Sequence, residues 1–478
     1  MQQLHEIRSR LARVEQSHLL RYYDELSEAH QRDLLAQIAA IDLERLPPLI
    51  DRYVRSPVAA SVPAELEPVE PYSTRPGARA WDATSARATG ERLLRGGKVA
   101  AFVVAGGQGS RLGYDGPKGC FRAGAVSGRS LFEMFARQLL GAKARYGRDV
   151  PWYIMTSPLN HRATVGFFED HHYFGLERAN IMFFQQGVMP SLEMGTGRIL
   201  LSRKDEVATN PDGHGGSIAA LRKSGALLDM HRRGIEHLSY FQVDNPLVRI
   251  LDPIFLGLHA DAPDSSGEMS SKTIAKTDPG EKVGVFARLT RDGRKVLDVI
   301  EYSDLPAHLA SARNADGTLR FQAGSIAVHL ISVAFLEKLA NDPKFELPYH
   351  RADKKVAFID ERTGELVQPS VNNAVKLEKF VFDALPLCRS SIVYETCREE
   401  EFAPIKNATG NDSPESCTRL QTARAAAWLE GMGVRVPRHA DGTPDCTLEI
   451  DPAHAAEPQD LRARADGLAI RAGAQMLL

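Results

Sequence analysis

The chain has few cysteines. Its five, Cys120, Cys388, Cys397, Cys417 and Cys446, are odd in number among 478 residues and form no C-x-x-C pair, which excludes a disulfide scaffold and a zinc ribbon. Neither charge is in excess: Lys plus Arg total 59 and Asp plus Glu 61, so no global field recruits nucleic acid or an anionic membrane, and any anion site is local. No apolar run approaches the length of a membrane span. The opening Met1-Gln2-Gln3-Leu4-His5-Glu6-Ile7-Arg8 has no signal-peptide core. These absences predict a cytoplasmic protein with neither nucleic acid nor membrane as partner. With 25% charged and 43% hydrophobic residues, the composition is that of an ordinary globular chain, long enough for two or three domains.

Two common glycine motifs are also missing. A dinucleotide-binding G-x-G-x-x-G starting at Gly107 needs glycine at position 112, which is Leu112, and no Walker A Gly-Lys-Ser/Thr occurs. What stands in their place is Lys98-Val99-Ala100-Ala101-Phe102-Val103-Val104-Ala105-Gly106-Gly107-Gln108-Gly109-Ser110-Arg111-Leu112-Gly113, closed by Pro117-Lys118. A near-continuous apolar run opening into glycines reads as a buried parallel strand whose C-terminal end enters a turn, where open α/β sheets bind phosphate. Gly106, Gly107 and Gly109 are expected to reach positive φ and present bare N–H groups, with Arg111 and Lys118 adding positive charge.

Residues 1 to about 55 carry helical spacing in Leu4, Ile7, Leu11, Val14, Leu34, Leu35, Ile38 and Ile41, and Pro47-Pro48 is expected to break it. Pro57, Pro63, Pro68, Pro71 and Pro76 predict an extended connector, followed by a helix over 80–94. From residue 98 strands (152–156, 181–184, 238–243) alternate with helices (near 130–145, 161–171 and 217–233), which predicts an α/β, doubly wound, mostly parallel sheet. Short strands over 272–276, 282–289 and 296–301 read as hairpin additions. A strand is expected at 447–450 and a helix over 461–478. The implied division is a helical N-terminal region with connector (1–95), a catalytic domain (96–385) and a small C-terminal domain (386–478). No oligomeric state is legible.

Three polar clusters fall at strand ends, where such sheets place their ligands. Gln185-Gln186 offers amides for the edge of a base, or is a solvated loop. Asn210-Pro211-Asp212-Gly213-His214-Gly215-Gly216 turns into a helix near Ser217 and presents backbone N–H groups. Val243-Asp244-Asn245-Pro246 puts an acid at the end of an apolar strand. A carboxylate facing a phosphate loop suits Mg²⁺, although a lone Asp also serves as a cap. Lys376 and Lys406 are unexceptional by spacing.

In this order, these motifs resemble those of the eukaryotic-type UDP-sugar pyrophosphorylases, and among them the UDP-N-acetylglucosamine pyrophosphorylases. Val299-Ile300-Glu301-Tyr302-Ser303, Glu378-Lys379-Phe380-Val381-Phe382-Asp383 and Glu400-Glu401-Phe402-Ala403-Pro404-Ile405-Lys406-Asn407 extend the likeness over roughly 98–426. The resemblance implies a Rossmann-like, GT-A-like nucleotidyltransferase fold that transfers a uridylyl group from UTP to a sugar 1-phosphate with Mg²⁺ as cofactor. It implies that Val104, Ala105, Gly106, Gly107 and Lys118 contact UTP, with Gln186 and Gly213 reading uracil. Asp244 would hold the metal and Lys376 reach the phosphates. His214, Glu301, Tyr302, Ser325 and Lys406 would take the sugar phosphate, and Arg111, Lys118 and Lys376 would neutralise charge during the reaction. Two positions depart from the acetylglucosamine pattern: His214 replaces an asparagine, as in UDP-glucose enzymes, and so does Ser325. A UDP-glucose or broad-specificity enzyme is therefore the rival reading, and a non-catalytic nucleotide-sugar binder the rival of another class.

Overall fold

The structure, a computed structural model, describes residues 2–56, 65–75 and 78–478. It divides into two compact units, neither contiguous in sequence, whereas the boundaries expected above are linear. The smaller unit takes residues 1–62, 186–217 and 346–381, and the larger takes 63–185, 218–345 and 382–478. Pro57, Pro63 and Pro76 of the expected connector lie outside the described residues.

The smaller unit begins with helices α1 (Gln2–Arg13), α2 (Glu28–Ala39) and α3 (Leu46–Ile50). The Ser27 side chain caps α2 by accepting from His30 N. Pro47 and Pro48 do not break the helical pattern. They occupy the first turn of α3, where the N–H groups lack intrahelical partners and proline removes no bond. The apolar stripe Ile7, Leu11, Leu34, Leu35 and Ile38 is buried with Leu192, Val375 and Leu377. The last three lie on a three-stranded antiparallel sheet of Leu192–Glu193, Ala374–Glu378 and His350–Lys354.

The larger unit holds a ten-stranded sheet. Its strands are β1 (Glu67–Pro68), β2 (Val99–Val104), β3 (Trp152–Thr156), β4 (Ile181–Gln185), β5 (His237–Gln242), β6 (Met269–Ala275), β7 (Val285–Arg291), β8 (Arg294–Ile300), β9 (Ala323–Ser332) and β10 (Val393–Glu395). The path runs β1-β7-β9-β5-β2-β3-β4, with β5, β2, β3 and β4 parallel. β7 and β8 form the expected hairpin across Asp292-Gly293. β6 joins the sheet by pairing with both β9 and β10. β2 and β3 are buried almost throughout, which is why they read as continuous apolar runs.

The longer helices are α4 (Ala83–Arg95), α5 (Leu131–Tyr146), α6 (His161–Asp170), α7 (Ser217–Lys223), α8 (Ala226–Arg233), α9 (Pro253–Asp261), α10 (Val333–Asn341) and α11 (Pro414–Glu430). The single helix expected over 217–233 is two, because Gly225 adopts φ 81° between α7 and α8. α4 and α9 touch backbone to backbone: a Cβ on Gly90 would lie 1.8 Å from Pro253 O, and one on Gly257 1.8 Å from Ala86 O.

The C-terminal segment carries the expected strand, here β11 (Cys446–Glu449), but no long helix follows. Gly467 and Gly473 have φ of 71° and 75°, and the chain returns as β12 (Ala474–Leu477), parallel to β11. Glu449 docks this segment by accepting from Val126 N, Ser127 N and Ser127 Oγ, each at 2.7 Å.

Candidate active site

In the larger unit, β2 and β5 run parallel and in register, Gln242 beside Val104, so their C-terminal ends deliver the glycine turn and Asp244 side by side. Ala105 is buried, and Gly107 is exposed with nothing within 4 Å of a Cβ placed on it, which leaves room for a ligand to approach the backbone. The expected positive φ is not found at Gly106, Gly107 or Gly109. The left-handed glycines of the turn are Gly113 (φ 68°) and Gly116. Gly109 has φ −81° and is glycine for another reason: its Cβ would lie 2.6 Å from the Tyr114 ring.

Sequence reasoning missed the residue that holds this turn. The buried Asn160 amide donates to Ala105 O at 2.9 Å and Gly107 O at 3.2 Å, and its oxygen accepts from Ser157 N at 2.8 Å. Ser-Pro-Leu-Asn after β3 was the only local signal.

Lys118 N donates to Gly107 O at 3.1 Å, and its Nζ lies 3.5 Å from Asp244 Oδ2, with both side chains largely buried. Arg111 is exposed on the same turn and makes no ion pair among the described residues. Asp244 O accepts from Ile405 N at 2.8 Å. Asn245 Oδ1 accepts from Ala403 N at 3.0 Å, and its Nδ2 donates to Glu401 O at 2.6 Å. The acidic loop thereby carries the segment bearing Lys406, whose N donates to Asp412 O at 2.6 Å. Asp412 is a second carboxylate that spacing did not reveal. Burial raises its pKa, Lys406 lowers it, and Asp244 and Glu281 push it up again.

A buried ion cluster anchors that segment. Lys272 is fully buried, with Nζ 2.7 Å from Asp252 Oδ2 and 2.7 Å from Glu401 Oε2. Burial works against the Asp252 anion, but Lys272 and then Arg249 hold its carboxyl below the ordinary value.

Of the residues expected at the sugar, Glu301 and Ser325 meet around Gly284, whose carbonyl accepts from Ser325 N at 2.8 Å and whose Cβ would lie 3.3 Å from Glu301 Oε1. Tyr302 is 49% exposed.

In the smaller unit Gln186 is buried. Gly213 has φ 84°, and its Cβ would lie 2.4 Å from Lys379 O, so only glycine fits. Lys379 N donates to Asp212 O at 2.8 Å and Gly215 N to Lys379 O at 2.7 Å, which ties this turn to the strand end beyond Lys376. Glycines 187 and 216 leave space for the Asp212 carboxylate, which would lie within 2.4 Å of a Cβ on either. Burial raises the Asp212 pKa to about 6 against the opposing charge of Lys379. His214 stacks on Phe380 at 5.0 Å, and its Nδ1 accepts from Val381 N at 3.1 Å, which puts the ring proton on Nε2. Burial, then His350, lowers its pKa to about 4. Lys376, half-buried on its strand, has its pKa lowered by burial.

The larger unit's fold and its strand-end loops define a nucleotidyltransferase of the α/β kind. The family profile described as UTP--glucose-1-phosphate uridylyltransferase matches residues 51–412, and the chain belongs to that family. It is 35% identical over 474 residues to the UDP-N-acetylhexosamine pyrophosphorylase-like protein 1 of Mus musculus, covering 94% of this chain and 92% of that protein. It is 35% identical over 497 residues to UDP-N-acetylglucosamine diphosphorylase 2 of Arabidopsis thaliana, covering 98% and 93%. The inhibitor-bound crystal structure of the Trypanosoma brucei uridine diphosphate N-acetylglucosamine pyrophosphorylase superposes with a TM-score of 0.77 at 26% identity, covering 98% of this chain and 95% of that one.

Proposed function

We propose that this chain is a UTP-dependent uridylyltransferase that converts UTP and N-acetylglucosamine 1-phosphate into UDP-N-acetylglucosamine and pyrophosphate. The observation that carries the reading is the convergence, at the ends of β2 and β5, of the glycine turn, Lys118, Asp244 and the backbone leading to Lys406. The family and the relatives above support it. A phosphate oxygen of the sugar 1-phosphate attacks the α-phosphorus of UTP, a new P–O bond forms, and the bond to pyrophosphate breaks in line. The nucleophile is anionic at neutral pH, so no general base is needed, and catalysis reduces to positioning and charge neutralisation.

In this reading Val104, Ala105, Gly106 and Gly107 hold UTP through the backbone, and Gln186 and Gly213 read the base. Lys118 and Arg111 face the departing pyrophosphate, Lys376 faces the α-phosphate, and Lys406 holds the sugar phosphate. His214, Glu301, Tyr302 and Ser325 face the sugar. Mg²⁺ fits Asp244, a largely buried carboxylate beside the phosphate turn with Asp412 near enough to feel its charge, because this ion takes one or two carboxylates plus substrate phosphates. When bound it supplies neutralising charge. No helix among the described residues is long and apolar enough to cross a membrane, and with five unpaired thiols a reducing cytosol is the proposed location.

The test offers UTP with N-acetylglucosamine 1-phosphate or glucose 1-phosphate, with and without Mg²⁺, and measures pyrophosphate. Metal-dependent release with the acetylated sugar is expected. Faster release with glucose 1-phosphate transfers the assignment to the UDP-glucose reading, and tight UTP binding without release with either sugar overturns catalysis.

A further inference from the structure

Away from these residues, the larger unit has a cavity of about 330 Å³, partly open to solvent, between α5, the loop 246–253, α11 and the segment 450–457. That volume is within the range of small-molecule sites. Much of the wall is apolar, including Met134, Leu247, Leu251 and Ile450, and none of the residues assigned to UTP, metal or sugar lines it.

Three arginines line the same cavity: Arg145, which is paired with Asp460, and Arg249 and Arg424. The cavity's carboxylates already have donors. Both oxygens of Glu400 accept from Trp428 Nε1, at 2.8 and 2.9 Å, and Glu457 takes Arg87 Nη1 at 2.6 Å. The donors of Arg249 and Arg424 are not so served. Arg424 Nε is buried without a hydrogen-bond partner, its closest acid oxygen being Glu400 Oε2 at 3.6 Å. The side chain of Arg249 makes no hydrogen bond or close ion pair among the described residues and meets its acids, Glu401 and Asp252 first, only through the longer-range field. Burial pulls the Arg424 guanidinium down to about 10; Glu400 offsets part of this and Arg249 adds to it. Glu401, Asp252, Glu457 and Glu400 together hold the Arg249 guanidinium above its ordinary value, and Arg424 lies over the Trp428 ring at 4.6 Å, so both charges are compensated at a distance. What the cavity leaves unmet is hydrogen-bond acceptors for the donors of these two side chains.

We propose that this cavity binds a small organic anion, a carboxylate or phosphate ester on an apolar body, whose charged group bridges Arg249 and Arg424. The apolar walls select the body, and the two forks select the charge.

Isothermal titration of the full chain tests this with phenyl phosphate, phenylacetate and neutral benzyl alcohol, after UDP-N-acetylglucosamine has been added to occupy the catalytic groups. A separate titration of that sugar nucleotide alone distinguishes failure of the proposed function from failure of this site. At least one anion is expected to bind with one-to-one stoichiometry, and benzyl alcohol about tenfold more weakly or not at all. The relative affinity of the two anions identifies the preferred group. Arg249→Gln and Arg424→Gln should each weaken the anion by about tenfold or more. Ala142→Phe, which fills the hollow and leaves both guanidiniums in place, should abolish binding, with thermal melting confirming that each variant folds. Equal binding of benzyl alcohol, unchanged anion binding in Arg249→Gln or Ala142→Phe, or no binding of either anion up to about 10 mM overturns the proposal.

Discussion

At the scale of single residues the proposed function rests on cations, Lys118 and Lys376, assigned to the triphosphate. Lys118 has one carboxylate partner at 3.5 Å, and the Lys376 ammonium sits where burial already disfavours its charge. Under the proposed function, an incoming phosphate would meet positive charge already in place at these two lysines. Lys118→Ala and Lys376→Ala should each lower steady-state turnover by about 10²-fold or more, and rates near those of the unmodified chain would remove the assignment. Asp212 supplies a pH signature. Its folded-state pKa is raised from 3.8 to about 6, so the folded state binds the extra proton, and stability falls as pH rises from about 4 to about 6. The full loss, present above pH 6, is about 3 kcal/mol. Asp212→Asn should flatten that part of the stability profile in urea unfolding followed from pH 4 to 7. Lys118 and Asp244 stand next to glycines and strand ends and were legible from sequence. Asn160 and Asp412 were not, because a buried amide and an acid in a surface-like stretch acquire meaning only from the partners that the fold brings to them.

At the scale of elements, the loop after β5 and the segment before α11 behave as one piece because Asn245 stitches them. Asn245→Ala removes one donor and one acceptor. The KM for the sugar 1-phosphate should rise by roughly tenfold with a smaller change for UTP, and Asn245→Asp, which keeps the acceptor for Ala403 N, should recover part of the loss. Unequal effects on the two substrates separate positioning of Lys406 from general destabilisation. The α4–α9 crossing depends on glycine in the same strict way. Gly257→Ala drives a methyl into Ala86 O and should cost roughly 3 kcal/mol or more, read by chemical denaturation. Periodicity located both helices but not their contact, since a glycine inside a helical pattern looks like a weak spot until the facing backbone is known.

For the molecule as a whole, the Asp252–Lys272–Glu401 cluster ties a strand of the sheet to the start of α9 and to the segment carrying Lys406. Lys272→Met removes the cation in direct contact with both buried carboxylates, leaving only the more distant Arg249, and should destabilise the protein by about 3–5 kcal/mol in chemical denaturation. The chain's division into two units, each assembled from three separated stretches, has no counterpart in local composition. A linear reading assigned the N-terminal helices to a region of their own, yet their apolar faces close over strands drawn from residues 192–193 and 374–378.

What the sequence determined by itself was set by short-range chemistry. Apolar runs specified the buried parallel strands, glycine and aspartate marked their ends, and the order of seven motifs carried the family. What the tertiary structure decided was everything that needs two distant stretches at once: the carbonyls that Asn160 holds, the acid beside Lys406, the helix faces that meet at glycine, and the pairing of Arg249 with Arg424 across one cavity. Hydrogen bonds and burial are properties of pairs, and the pairing of residues hundreds of positions apart is settled by packing rather than by neighbours along the chain.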